Sequence, residues 1–454
     1  MSIQWTIAAV VGAWMLVCLS ITRASGQSGG HASSQPDRTT WRQKQFMVTF
    51  WCPPPASDEA LARVAAEGYN LTWVPVEGLD VAARHKLRAM LTSDLLNATS
   101  LDDPARRAAL DALIGKVKNH PAMEAYFITD EPGAGAFPGL GKLVAYLRQR
   151  DPAHLAYINL FPTYANEQQL GVSADAAERA KVGIPQNFAG VGTSDKTVLR
   201  YREHLRQFIA TVKPDLISYD HYHFMKDGSD GKQYFLNLAL IREASLAAGK
   251  PFLNIIQADT IEKSWRLPNA AETRFLVFTT MAYGGRGISY FTYWGPESYG
   301  GLYRDGKASP MVKEVAAINA EINRLGPALM ELESTAVYHT APVPYGTQTA
   351  PADAPVQVTG GGEFVLGLFG KAKAATETKA PVALKTTAFM IVNRNYKQPG
   401  EATLKVRPPV RALQELDRTS GRWIAGPALD PNGQIKVDLA PGDGRLFRVA
   451  ESGT

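Results

Sequence analysis

The chain has 454 residues, 45% hydrophobic and 20% charged, with 39 glycines, 29 prolines and two cysteines. That composition speaks against a collagen-like, coiled-coil or largely disordered chain, and the length calls for a large core domain with a satellite. Forty-eight Lys and Arg against 43 Asp and Glu leave a net charge of +5. So small an excess, with no basic run, argues against a nucleic-acid partner.

Residues 1–22 contain no Asp, Glu, Lys or Arg, and 6–21 (TIAAVVGAWMLVCLSI) are almost wholly apolar. Arg23-Ala24-Ser25-Gly26 and a polar stretch follow. The pattern reads as a secretory signal peptide over 1–26 and a polar segment over 27–40. An uncleaved anchor is the rival, disfavoured because the run is shorter than the roughly 20 residues a span needs. Cleavage leaves Cys52 as the one cysteine, so no intrachain disulfide forms and stability must come from the core. The mature chain has no membrane span, and the expected location is secreted or periplasmic.

Between 41 and 330, short apolar or aromatic runs alternate with helical periodicity. Strands are expected at 46–51, 69–76, 87–92, 125–129, 155–161, 216–222, 252–257 and 288–294. Asp103-Pro104 reads as a helix cap and first turn, with Leu110, Leu113, Ile114 and Val117 on one face. Leu140, Leu143, Val144 and Leu147 repeat that pattern. Val198 to Val212 and Met311 to Leu325 do the same, and 166–195 is a long polar excursion. Eight near-continuously apolar strands alternating with helices fit a (β/α)₈ barrel. A doubly wound sheet ranks second, because Trp51-Cys52-Pro53-Pro54-Pro55 stands where a glycine-rich phosphate turn would follow the first strand.

From 335 to 450 the texture changes to short alternating strands at 364–369, 389–393, 403–406, 413–416, 435–439 and 446–449. Turns such as Asp430-Pro431-Asn432-Gly433 separate them. This predicts an antiparallel β-sandwich, with 371–383 a low-complexity loop inside it.

A barrel carries its chemistry where the strands end at their C-terminal edge. The residues at those ends include Trp51, Glu77, Asp94, Asp130, Glu131, Asn159, Asp220, His221, His223, Gln257, Asp259, Trp294 and Glu297. The sharpest feature is Tyr126-Phe127-Ile128-Thr129-Asp130-Glu131-Pro132. Two adjacent carboxylates ending an apolar strand raise each other's pKa, and a raised pKa suits a carboxylic acid that protonates a leaving oxygen. The plain structural alternative is a solvated turn with a helix-capping acid.

The element order, the carboxylate at the end of strand four and the aromatic eighth strand Ile288-Ser289-Tyr290-Phe291-Thr292-Tyr293-Trp294 resemble a clan A glycoside hydrolase barrel. The run 275–285 with that strand is similar to the last unit of family 42 β-galactosidases. The sandwich ending Leu439-Ala440-Pro441-Gly442-Asp443-Gly444-Arg445 is similar to C-terminal domains of such enzymes. The resemblance implies a carbohydrate substrate and no cofactor, with Glu131 as general acid. Two departures stand out: Asp130-Glu131 replaces the usual Asn-Glu, and Gln257 stands where a nucleophilic Glu would end strand seven. The partner carboxylate is therefore open. Asp220 is one candidate, as base or nucleophile. Asp130 is another, since Asp130-Glu131-Pro132 also resembles the pair of family 20 and 123 hexosaminidases, where the substrate's acetamido oxygen attacks. Asp259 is a third.

Trp51, Asn159, Tyr219, His221, His223, Gln257, Trp294 and Glu297 are expected to contact the sugar, with Trp294 the best stacking platform. Tyr299 shares the loop of Glu297 without an assigned role, and Cys52 reads as a small buried apolar group. A non-catalytic carbohydrate-binding barrel, and a metal-dependent hydrolase using Asp220, His221 and His223, remain as alternatives. No metal is expected, and the oligomeric state is open.

Overall fold

The computed structural model describes residues 40–450 apart from Gln186, 261–263, 296–299 and 373–384. The expected signal peptide and nearly all of the polar segment, Glu297, Tyr299, and most of the 371–383 loop lie outside the described residues. No helix among the described residues is long and apolar enough to cross a membrane.

Eight strands form one parallel sheet: β1 (Met47–Phe50), β2 (Leu71–Val74), β3 (Arg88–Leu91), β4 (Met123–Asp130), β5 (Leu155–Leu160), β6 (Ile217–His221), β7 (Phe252–Gln257) and β8 (Gly287–Phe291). They pair in the order β2-β3-β4-β5-β6-β7-β8-β1. Asn70 closes the ring between the end strands. Its backbone N–H donates to the Val48 carbonyl at 3.0 Å, its Oδ1 accepts from Val48 N at 2.9 Å, and its Nδ2 donates to the Phe46 carbonyl at 2.9 Å. The fold is a (β/α)₈ barrel. The eighth strand stops sooner than its aromatic run suggests. The chain breaks after Phe291 and pairs again as β9 (Trp294–Gly295), beside β10 (Tyr303–Arg304) and β11 (Lys307–Ala308).

The α-helices among the described residues, in chain order, are α1 (Asp58–Ala66), α2 (Leu79–Arg84), α3 (Pro104–Val117), α4 (Phe137–Arg150), α5 (Glu167–Leu170), α6 (Ala174–Arg179), α7 (Lys196–Val212), α8 (Tyr234–Ala248), α9 (Ala270–Ala282) and α10 (Met311–Met330). Helix starts follow capping chemistry. Asp103 Oδ1 accepts from the Ala105 and Arg106 N–H groups, with Pro104 in the first turn, and Asn269 with Glu272 forms a capping box. The polar excursion at 166–195 holds α5 and α6, each too short for the periodicity to reveal.

The barrel lumen is filled by side chains. Trp51 packs on Trp73 (ring centroids 4.8 Å) and on Phe127 (5.8 Å), and Phe127 meets Tyr157 (6.1 Å). These large rings form a floor beneath the C-terminal mouth.

The chain then forms nine antiparallel strands: β12 (Leu332–His339), β13 (Val356–Val358), β14 (Phe364–Lys371), β15 (Thr386–Asn393), β16 (Gly400–Val406), β17 (Leu413–Leu416), β18 (Trp423–Ala425), β19 (Gln434–Leu439) and β20 (Gly444–Val449). They make a six-stranded sheet, β12-β14-β15-β20-β17-β18, and a three-stranded sheet, β13-β16-β19, around a shared apolar core. This is the expected sandwich. It begins at β12, directly after α10.

One face of the larger sheet lies on α9. That helix is buried nearly all round because the barrel covers one side and the sandwich the other. The approach is close: a Cβ on Gly367 would stand 2.2 Å from the Ala282 carbonyl oxygen. Arg274 on α9 and Arg418 share Asp443 and Glu321 across this junction, the Arg274 contacts being 3.1 and 3.0 Å.

Candidate active site

Strand alternation decides which side chains reach the barrel mouth. On β6, Ser218 and Asp220 face the lumen, while Tyr219 and His221 face the helices. On β5, Tyr157 and Asn159 face the lumen. On an ideal β4, Asp130 and Glu131 would face opposite ways. Two local features bring both into the mouth. A bulge between Phe127 and Thr129 inserts one residue, so that Asp130 pairs with Asn159. Glu131 then takes a left-handed backbone, φ 44°, fixed by its N–H donating to the Asn159 carbonyl at 2.9 Å. Such a conformation is costly for a glutamate and is held by its surroundings at functional sites.

Three carboxyl groups result. The Glu131 carboxyl lies against that of Asp220. Asn159 Nδ2 donates to Asp130 Oδ1 and to Asp220 Oδ1, each at 3.0 Å. Asn159 Oδ1 accepts from Ser218 Oγ at 3.0 Å, and Ser218 Oγ lies 2.8 Å from Tyr157 OH. The amide is thus fixed with both hydrogens aimed at carboxylates.

Burial, the Asp220 charge and the Asp130 charge push the Glu131 carboxyl far above the ordinary carboxylate range. Burial and the Asp130 charge also raise Asp220, against the lowering effect of hydrogen bonds from Asn159 and Glu131. Three negative charges crowd this space, so burial and mutual repulsion hold a proton on the group above the ordinary carboxylate range, with Glu131 raised furthest. Burial raises Asp130 to about 6, opposed by the Asn159 hydrogen bond. Asp220 is only 4% exposed. Asp130 keeps an exposed surface although protein crowds it, the condition of a group inside an open cleft.

Aromatic side chains stand around the carboxyls. The hydroxyls of Tyr164 and Tyr222 feel the charges of Asp220 and Glu131. Tyr222 packs between Phe291 (5.3 Å) and Trp265 (6.0 Å), and Tyr164 lies 6.4 Å from Trp265. The indole N–H of Trp265 is buried without a partner. Cys52, at φ 57°, has its thiol pushed up to about 11 by burial and by the Asp259 and Asp130 charges, so it stays a neutral thiol beside the site.

The other expected site residues are distributed as follows. Trp51 belongs to the floor beneath the mouth. Tyr219 is fully buried toward the helices. His221 Nδ1 meets Asn237 Oδ1 at 2.9 Å, and His223 packs among Phe224, Tyr234 and Phe275, away from the carboxyls. Burial lowers both imidazoles to about 3, so both are neutral. Gln257 is fully engaged, accepting from His223 N and Phe224 N and donating to the Phe224 and Arg266 carbonyls at 2.6–2.9 Å. Trp294 stacks on Tyr303 at 5.6 Å beside the Arg63 guanidinium. Asp259 accepts from Thr292 Oγ1 at 2.5 Å and from Gly300 N at 2.8 Å. Glu77 and Asp94 are exposed on the rim. Among the described residues, no group of three or more His, Cys, Asp or Glu is placed to hold a metal, and Asp220, His221 and His223 diverge.

Tyr164, Tyr222 and Trp265 were not anticipated as site residues. Tyr222 sits in the Tyr219–His223 run, but its direction depends on where β6 ends. Tyr164 and Trp265 lie in loops without periodicity.

No protein-family model matches the chain, and no curated protein matches its sequence. Solved structures similar in fold include a β-galactosidase from the psychrophilic Marinomonas ef1, at 10% identity over 62% of this chain and 60% of that one, TM-score 0.41. A glycoside hydrolase family 30 subfamily 8 xylanase from Clostridium acetobutylicum is similar at 11% identity over 88% and 94%, TM-score 0.40. A β-1,4-D-mannanase from Cryptopygus antarcticus is similar at 10% identity over 65% and 87%, TM-score 0.37. The chain thus spans under two thirds of the galactosidase. These are distant likenesses, and the chemistry has to be argued from the side chains.

Proposed function

We propose that the protein is an exported glycoside hydrolase that cleaves an O-glycosidic bond of an oligo- or polysaccharide, with Glu131 as general acid. The observation that carries this is the placement of the Glu131 carboxyl against buried Asp220 and beside the open Asp130, where burial and both neighbouring charges raise its pKa. Glu131 transfers its proton to the glycosidic oxygen as the bond from that oxygen to the anomeric carbon breaks, and the leaving group departs as an alcohol. Positive charge then grows on the sugar ring, where the Asp130 carboxylate faces it, and water adds to the anomeric carbon, giving its proton to the Glu131 carboxylate and so reloading the acid. Asp220 keeps the acid loaded, and Asn159 holds Asp130 and Asp220 in register.

Direct contact between Glu131 and Asp220 leaves no room between them for the water of an inverting pair, which needs roughly 6.5–9.5 Å. That favours Asp130 over Asp220 as the partner that meets substrate. It also supports a second reading, in which the acetamido oxygen of a 2-acetamido sugar attacks and Asp130 orients it. The apolar N-terminal run supports export.

The test uses aryl glycosides of graded leaving-group acidity. With Glu131→Gln, turnover of poor leaving groups should fall about 10²–10⁴-fold, while activated leaving groups lose much less. Equal loss across the series would remove Glu131 as the acid. Turnover confined to 2-acetamido glycosides selects the second reading.

A further inference from the structure

The loop after β6 serves two places. Tyr222 turns into the carboxyl cleft, and His223 turns the other way, onto a cavity of about 680 Å³ between the barrel and the sandwich. The four hydrogen bonds of Gln257 fix this loop at His223 and Phe224. The far wall is the turn 394–397 after β15. Tyr396 joins the walls, its hydroxyl donating to Asp230 at 2.7 Å.

Three buried polar atoms on these walls lack partners: the acceptor Gln233 Oε1, the donor Arg394 Nε–H and the ring nitrogen His223 Nδ1. The rest of the Arg394 guanidinium is committed to Glu363, at 3.2 Å, and to the Thr340 and Pro342 carbonyls. Unpartnered buried groups of both senses are costly unless something fills them. The charges on the walls nearly balance, with Lys232, Arg394 and Lys397 against Asp230 and Glu363. A ligand that both donates and accepts, carries little charge and has an apolar face to set on Phe235 and Tyr396 fits this lining.

We infer that this cavity is a second binding site, for one sugar unit of a neutral glycan, separate from the carboxyl cleft. The choice of a glycan rests on the proposed function, whereas the site itself rests on the cavity and its unpartnered groups. The sandwich then contributes directly to holding substrate. A glycan seated there is kept near the cleft, because one loop lines both.

The test titrates the Glu131→Gln protein with cellotetraose, xylotetraose, mannotetraose and chitotetraose by calorimetry. At least one should bind, and Gln233→Leu and Arg394→Met should each weaken binding at the second site at least tenfold, with unfolding temperature as the control for folding. Two bound molecules per chain falling to one supports the proposal. A single molecule lost with these substitutions also supports it, while counting against the cleft as the glycan site. Binding indifferent to both substitutions, or none by all four probes, overturns it. Arg394 also braces its neighbours, so if that variant does not fold, Gln233→Leu alone decides.

Discussion

The Glu131 carboxyl lies against the carboxyl of Asp220, a residue from a strand two places along the barrel. An acid and its neighbouring anion lie at the mouth with a third carboxylate, Asp130, open to the cleft. The chemical expectations follow from which of the three holds the proton.

Asp220→Asn removes the anion that keeps Glu131 protonated. The limb on which activity falls with rising pH should move to lower pH, and kcat at neutral pH should drop more than KM changes. The check is a pH–rate profile of the variant. An unmoved alkaline limb would mean that Asp220 does not set the Glu131 proton.

Stability should show the same grouping. The folded-state pKa of Glu131 is raised above the ordinary 4.5, so the folded chain binds more protons than the unfolded one. This contribution is present below about 4.5 and is lost as pH rises through the raised value. Asp130 adds a contribution present below 3.8 and lost through about 6. Glu131→Gln should therefore flatten the decline of Tm between pH 4.5 and 8, and raise Tm at pH 8, where each kcal/mol is worth about 1 °C in a chain of this length. A decline identical to the natural protein's would contradict the shared-proton arrangement.

Ser218 touches Asn159, not the cleft, and fixes which end of the amide faces the carboxylates. Ser218→Ala should leave KM within about twofold and alter the pH profile. Asn159→Leu leaves two carboxylates short of a donor and should cost about 2–3 kcal/mol, by unfolding in urea. A profile unchanged in Ser218→Ala would make that hydroxyl merely structural.

The aromatic side chains should act on binding. Tyr222→Ala should raise KM several-fold with a smaller effect on kcat, since the ring stands beside the acid without touching its proton. Measuring the two constants separately decides this, and a pure kcat loss would place Tyr222 in the chemistry instead.

The junction of barrel and sandwich gives a stability expectation. Gly367→Ala drives a methyl into the Ala282 carbonyl and should cost about 1–3 kcal/mol. Asp443→Ala leaves Arg274 and Arg418 short of an anion and should cost about 3 kcal/mol. Both are read from denaturant midpoints, with barrel and sandwich unfolding together.

Much of the fold was legible because apolar runs and helix caps are local. The strand 252–257 matches β7, and Asp103-Pro104 opens α3 as its chemistry requires. The strands β12, β13 and β18 were missed; in β13 and β18, three residues cannot display alternation. In the site, the adjacency of Asp130 and Glu131 was readable, but their shared direction was not. It depends on a bulge at Ile128 and a left-handed Glu131, and neither has a sequence signal. Alternation along β6 likewise sends His221 away from Asp220, and His223 follows the loop to the other side. Gln257 looked like a replaced nucleophile, and its side chain instead ties down the loop after β6.

The most direct measurement is the titration of Glu131 itself, followed by carbon NMR of the side-chain carboxyl, with Glu131→Gln to assign the signal. The natural protein should keep Glu131 protonated through neutral pH, and Asp220→Asn should bring its titration down toward the ordinary glutamate range. A Glu131 that ionises near 4.5 in both proteins would contradict the account.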